Sequence, residues 1–258
     1  MKFRDQLNRT IHLKSVPKRI VSLVPSQTEL LCDLGLESSI IGVTKFCVHP
    51  HYIKTKVAVV GGTKQVNFDK IKALDPDIIL CNKEENTLEM IIRLEQIAPV
   101  HISDIYTIDD CLELIKMYGE LFLKKMEAET IAEKIQTKHL EFKTFIEKKP
   151  IKKVVYFIWK NPWMVAASHT FINEMLRLNK FENSYKNLER YPEVQLDEIK
   201  KNTDLVLLSS EPYPFKEEHI SELKTHLKTP KIQLVDGEMF SWYGSRLTKA
   251  FNYFKTLH

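Results

Sequence analysis

A chain of 258 residues, at about 150 residues per domain, holds one or two domains and enough apolar residues for a substantial core, which excludes a miniprotein or a disordered tail. Hydrophobic residues at 43% and charged residues at 28% are ordinary for a globular protein, and 38 basic against 34 acidic residues leave a net charge of only +4 with no basic stripe, so no nucleic-acid partner is expected. None of the seven glycines is spaced as GxGxxG or GxxxxGKS/T, which excludes the glycine-rich phosphate cradles of dinucleotide-binding and P-loop proteins.

The N-terminal MKFRDQLNR has no apolar core of signal-peptide length, so the chain as written is expected not to be exported, and no stretch approaches about 18 consecutive apolar residues. Residues 19–24 (RIVSLV) read as a buried strand. Ser26 and Glu29 then form the pattern of a capping box at the start of a helix that ends at Gly35, and this explains Glu29 better than an acid–base role. Strands at 40–44, 77–81 and 100–102 alternate with helices at 67–74 and 86–96, the order of a parallel α/β sheet.

From Thr107 the period is helical for some forty residues, with Gly119 as the expected break. Ala128, Ile131, Ala132, Ile135, Phe142, Phe145 and Ile146 line one face, so 124–148 reads as a single amphipathic helix roughly 37 Å long. Pro150 stops it. The alternation resumes with strands at 153–159, 204–209 and 232–235 and helices at 170–178, 196–201, 216–227 and 245–257. FDKIK followed by DIIL, at 68–72 and 77–80, reappears as LDEIK followed by DLVL, at 196–200 and 204–207. The repeat predicts two similar lobes, an N-terminal one over 1–123 and a C-terminal one over 150–258, joined by the helix at 124–149. Ligand sites favour such domain interfaces.

Several segments in this order, RIVSLVPSQTELLCDLGL, IIGVTKFCVHP, VGGTKQVNFDKIKALDPDIIL, WKNPWMVAASHTFINEMLRL and VDGEMFSWYGSRL, resemble class III substrate-binding proteins of ATP-binding cassette importers, in the cobalamin and iron-siderophore branch also called helical-backbone metal receptors. The resemblance implies two Rossmann-like lobes with parallel sheets, joined by one long interlobe helix, that capture a metal chelate between them without any intrinsic cofactor. A corrinoid such as cobalamin comes first and an iron-siderophore or haem second. It also implies a monomer in the periplasm or at the cell surface that delivers its ligand to a permease, and a role other than catalysis. Open beside it stand a cytosolic corrinoid or metal-chelate receptor, a chelatase-like enzyme on the same architecture, and a direct zinc- or manganese-binding protein.

Carried over by position, the ligand-binding candidates are Phe46, Trp159, Trp163, Tyr191, Trp242, Tyr243 and Arg246, while Thr63 stands where cobalamin-binding relatives have a further tryptophan. Trp242 and Tyr243 lie between Gly237 and Gly244, where a tight turn is expected to present them outward from the second lobe. Asp69 and Asp197, related by the repeat, are the candidate docking carboxylates for a two-fold permease. Cys47 and His49, in the run CVHP, are the candidate metal ligands, because thiolate and imidazole suit zinc or copper. Gly61, Gly62, Gly237 and Gly244 mark the few flexible positions, expected beside the ligand.

Overall fold

The computed structural model describes residues 1–199, 202–227 and 230–258. The chain divides into two compact units, Met1–Gln136 with Tyr243–Thr248, and Thr137–Trp242 with Lys249–His258.

The first unit opens with a hairpin, β1 (Lys2–Arg4) against β2 (Thr10–His12), which the sequence pattern does not announce. Its turn closes on the buried Asp5, whose carboxylate accepts N–H bonds from Leu7 and Arg9 and receives the Arg9 guanidinium at 2.8 Å. The same carboxylate accepts Ile102 N–H, so the hairpin covers a sheet edge that would otherwise expose unpaired backbone groups. The sheet itself contains β3 (Ile20–Ser22), β4 (Ile40–Val43), β5 (Ala58–Val59), β6 (Ile78–Asn82) and β7 (Val100–Ser103). Its order is β5-β4-β3-β6-β7 and every pairing is parallel. All five residues of β6 are buried, as expected of a strand covered on both faces.

Helices α1 (Pro25–Asp33), α2 (Ile53–Lys56), α3 (Phe68–Ala73), α4 (Leu88–Leu94) and α5 (Ile108–Leu121) connect and cover these strands. Asn67, Thr87 and Thr107 cap α3, α4 and α5 through their side chains, and Thr107 with Asp110 forms a capping box. The box expected from Ser26 and Glu29 does not form. The N-cap of α1 is Val24 with Pro25 in the first turn and no side-chain cap, because the buried Glu29 is turned to an ion pair instead.

Gly119 does not break the helical stretch either. Helix α5 runs through it, and the break comes at Leu123, whose φ is +54°. A Cβ at Gly119 would lie 2.6 Å from the Cβ of Ala128 in α6 (Lys125–Ile146), so glycine is required there for the two helices to approach. Helix α6 has 22 residues, about 33 Å at 1.5 Å per residue, and gives its first half to one unit and its second half to the other.

In the second unit β8 (Lys152–Trp159), β10 (Phe181–Asn183), β11 (Leu205–Ser209) and β12 (Lys231–Val235) form a parallel sheet in the order β10-β8-β11-β12, and β9 (Met164–Val165) runs antiparallel to β8. Helices α7 (Phe171–Leu178), α8 (Glu217–His226), α9 (Gly237–Ser241) and α10 (Leu247–Lys255) complete the elements, α10 starting in the residues grouped with the first unit. The helix expected at 196–201 is a short 3-10 turn over Leu196–Glu198, with Lys200 and Lys201 outside the described residues. Val155, Phe157, Val206 and Leu208, on the two central strands, pack with Phe215, Ile220 and Leu223 in one core cluster.

Candidate functional site

In a parallel sheet all strands end at one edge, and in open α/β sheets ligands bind outside that carboxyl edge. Each unit has such an edge.

In the first unit, β4 leads into Thr44, whose hydroxyl accepts the N–H of Phe46 at 3.3 Å. Cys47 turns inward, fully buried, with its sulfur 3.2 Å from Thr28 Oγ1 and 3.3 Å from Thr44 Oγ1. The turn therefore leaves Phe46 outside, 49% exposed, with the Lys45 amine 5.0 Å from its ring centroid. Burial pushes the Cys47 thiol up and keeps it protonated. The sulfur is enclosed by hydroxyls, His49 is half buried, and among the described residues no three His, Cys, Asp or Glu side chains converge on a metal position, so nothing beside the two candidate ligands Cys47 and His49 completes a metal site there.

Close to this edge lies a buried polar network that sequence reasoning missed. Gln27 Nε2 donates to Ser103 Oγ at 2.6 Å and to the Tyr243 hydroxyl at 3.0 Å, and Gln27 Oε1 accepts the Tyr118 hydroxyl at 2.6 Å. Asn82 Nδ2 donates to Ser103 Oγ at 3.0 Å. Cys111 Sγ accepts Gly244 N–H at 3.0 Å. Tyr243, expected to project outward from the second lobe, is instead 5% exposed, and it and the ligand-binding candidate Arg246, 4% exposed, belong to the first unit. The physical reason is this network together with the ion pair of Arg246 with Glu29 at 2.9 Å, which draws the segment into the first unit. The signal in the sequence was a glutamine and a glutamate in the first turns of a helix that follows a buried strand.

In the second unit Trp159 ends β8 and is 39% exposed, with its ring edge-on to Tyr213 at 5.7 Å. Trp163 is half buried: it stacks on Phe215 at 5.9 Å and meets Phe157 edge-on at 5.2 Å, so it packs with the core. Tyr191 is half buried in the loop whose Pro192 carbonyl accepts Val165 N–H. Trp242, expected outside a tight turn, is 6% exposed and donates its indole N–H to Glu211 Oε1 at 2.8 Å. Gly237 is a site of close approach, where a Cβ would lie 2.3 Å from Ser209 Oγ, and not a flexible hinge.

Asp69 sits exposed in the first turn of α3, and Asp197 sits exposed in the 3-10 turn Leu196–Glu198. Acidic side chains are favoured at both places by the helix dipole. Among the described residues no helix is long and apolar enough to cross a membrane.

Parallel sheets in two α/β units, with aromatic side chains exposed at the carboxyl edge of each, describe a ligand-binding scaffold. The chain belongs to the periplasmic binding protein family, whose model matches residues 20–230. It is 29% identical over 188 residues to an uncharacterized ABC transporter substrate-binding lipoprotein, YvrC, of Bacillus subtilis, a match covering 70% of this chain and 59% of that protein. The chain thus spans about three fifths of that relative's length. It is also 25% identical over 194 residues to a vitamin B12-binding protein of Vibrio vulnificus, covering 74% of this chain and 70% of the relative. Among solved structures it resembles the periplasmic vitamin B12-binding protein BtuF of Vibrio cholerae, with a TM-score of 0.79 at 18% identity, covering 93% of this chain and 96% of that one. The family and these relatives are substrate-binding proteins, not enzymes.

Proposed function

We propose that this chain is the substrate-binding protein of an ATP-binding cassette importer, acting outside the cytoplasmic membrane, with a metal chelate as its ligand: a corrinoid first, an iron-siderophore or haem second. The observation that carries the reading is the pair of exposed aromatics at the carboxyl edges, Phe46 in the first unit and Trp159 in the second. A corrin or porphyrin ring is a broad apolar plate, and water gives up such a surface most readily to aromatic faces. The half-buried Tyr191 and the 6% exposed Trp242 are further candidate contacts in the second unit, while Trp163, packed on Phe215, and Tyr243 and Arg246, buried in the first unit, are candidates for holding the surrounding framework. The vitamin B12-binding relative from Vibrio vulnificus supports placing the corrinoid first.

Calorimetry and visible spectroscopy with cyanocobalamin, cobinamide, haemin and a ferric siderophore test the reading. Saturable one-to-one binding of one of them is the expected result. Absence of heat and of any spectral change with all four would overturn it.

Asp69 and Asp197 are assigned to docking on the permease, since each is an exposed carboxylate at the same place in the repeated sequence. Charge reversal at both, Asp69→Arg with Asp197→Arg, is expected to abolish binding to the permease while ligand binding persists. Permease binding that survives the double reversal removes the assignment.

A further inference from the structure

Glu211 follows β11 by two residues, at the carboxyl edge of the second sheet. One of its oxygens, Oε1, accepts two hydrogen bonds, from Ser241 Oγ at 2.6 Å and from the Trp242 indole N–H at 2.8 Å. Both donors lie at the end of α9. The start of that helix is fastened to the same turn: Gly237 N–H donates to Ser210 Oγ at 2.9 Å, and the Ser209 hydroxyl donates to the Glu211 carbonyl. The seat is built to close tolerance, because a Cβ at Gly237 would lie 2.7 Å from Glu211 Cγ. Any other residue at 237 would push α9 away from the carboxylate.

We propose that Glu211 is a positioning residue for ligand binding, fixing the plane of the Trp242 indole through its carboxylate. The inference rests on the reading of Trp242 as part of the chelate-binding surface. A hydrogen bond to an ionised carboxylate is roughly twice as strong as a neutral one and is directional, so it holds a ring that apolar packing alone would allow to slide. Nothing in the ordinary pattern of a strand followed by a loop requires an acid here, and its surroundings oppose one. Asp236 and Glu238 face it from the first turn of α9, Tyr156 lies beneath it on β8 through Ser209, and Tyr253 of α10 accepts the Asp236 N–H. Burial, with Glu238 and Asp236 adding to it, raises the proton affinity of Glu211 above that of an ordinary carboxylate, while the Ser241 and Trp242 bonds pull it back. Protonation removes the charge that strengthens both bonds, so the indole loosens as the pH falls.

Two variants separate this role from simple packing. Glu211→Gln keeps an acceptor oxygen and loses the charge, and Glu211→Leu loses both. The indole N–H proton resonance of Trp242, assigned by its disappearance in Trp242→Phe, is followed by NMR as the pH is lowered. In the parent protein it moves along a single titration curve. In Glu211→Gln it stays still, and a titration that persists in that variant overturns the proposal. Affinity for cyanocobalamin is then expected to fall about tenfold in Glu211→Leu, the loss of one charge-assisted hydrogen bond, and to recover most of the way in Glu211→Gln. Equal affinity in Glu211→Leu and the parent overturns the positioning role. Should the parent bind no chelate at all, the functional reading falls, and the NMR titration still decides whether Glu211 holds Trp242. Should Glu211→Leu fail to fold, Trp242→Phe, which removes the indole donor, carries the affinity measurement, and affinity equal to the parent's in that variant overturns the positioning role.

Discussion

Arg246 donates from Nε to the carboxylate of Glu29 at 2.9 Å, with side-chain exposures of 5% and 7%. A helix that follows the first core strand is thereby tied to a segment more than two hundred residues later in the chain, which is grouped in the same compact unit. Removing one member of a buried pair leaves the other charged and desolvated. Arg246→Met is expected to destabilise the protein by about 3–5 kcal/mol, and Glu29→Leu with Arg246→Met by much less than the two single changes Glu29→Leu and Arg246→Met together. Urea unfolding of the four proteins measures the coupling. Additive losses would show that the pair is not a unit.

His101 on β7 is 1% exposed, lies edge-on to Tyr118 at 5.3 Å, and has no hydrogen-bond partner for either ring nitrogen among the described residues. Burial is the main cause that pushes its pKa from 6.5 down to about 4, with Arg9 adding to the effect and Asp5 opposing it. The folded state thus holds the ring neutral where the unfolded chain binds a proton. The unfolded state binds more protons between the two values, so stability is highest above pH 6.5 and is lost as the pH falls toward 4. The loss from this group amounts to about 2–3 kcal/mol by pH 4.5. His101→Leu is expected to remove that part of the acid sensitivity, seen as a smaller difference between urea midpoints at neutral and acid pH. An unchanged difference would mean the ring protonates equally well in both states.

Gly119 and Ala128 form the contact at which α5 meets α6. Gly119→Ala brings two methyl groups to 2.6 Å, which backbone shifts must relieve, at a cost of about 1–3 kcal/mol. Ala128→Gly opens the same space, so the double variant is expected to lose less than the sum of the two. Thermal unfolding reports this directly. If Gly119→Ala is as stable as the parent, the helices accommodate the methyl without strain.

Phe46 and Trp163 divide binding from stability. Phe46 is half exposed, so Phe46→Ala is expected to change stability by less than about 0.5 kcal/mol while weakening chelate binding about tenfold. Trp163, stacked on Phe215 and packed against Phe157, is expected to behave in the opposite way, with Trp163→Ala costing about 3 kcal/mol of stability. Calorimetric titration and urea unfolding of the same two variants decide between these roles.

The alternation of β-branched runs with helical periods was enough to read two α/β units with parallel sheets, because strands covered on both faces are continuous apolar runs whatever surrounds them. The helices read as starting at Asn67 and Thr107 do start there, and each is capped by that side chain. Phe46, singled out by the family resemblance, and Trp159, at the end of a strand read from the sequence, are both exposed.

Other features depended on partners distant in sequence. Glu29 has the spacing of a cap and becomes one half of a buried ion pair, because Arg246 is brought to it by the fold. Tyr243 and Trp242 look like tips of a tight turn, but Gln27 and Glu211, far away in sequence, take their polar atoms into the interior. The few glycines suggested flexible positions beside a ligand. At Gly61 and Gly237 they prove to be places where another backbone or side chain comes too close for a Cβ. Periodicity and capping are properties of neighbouring residues and are written in the sequence. The partner of a buried charge or of an indole N–H is set by which surfaces tertiary packing brings together, and only the folded chain decides it.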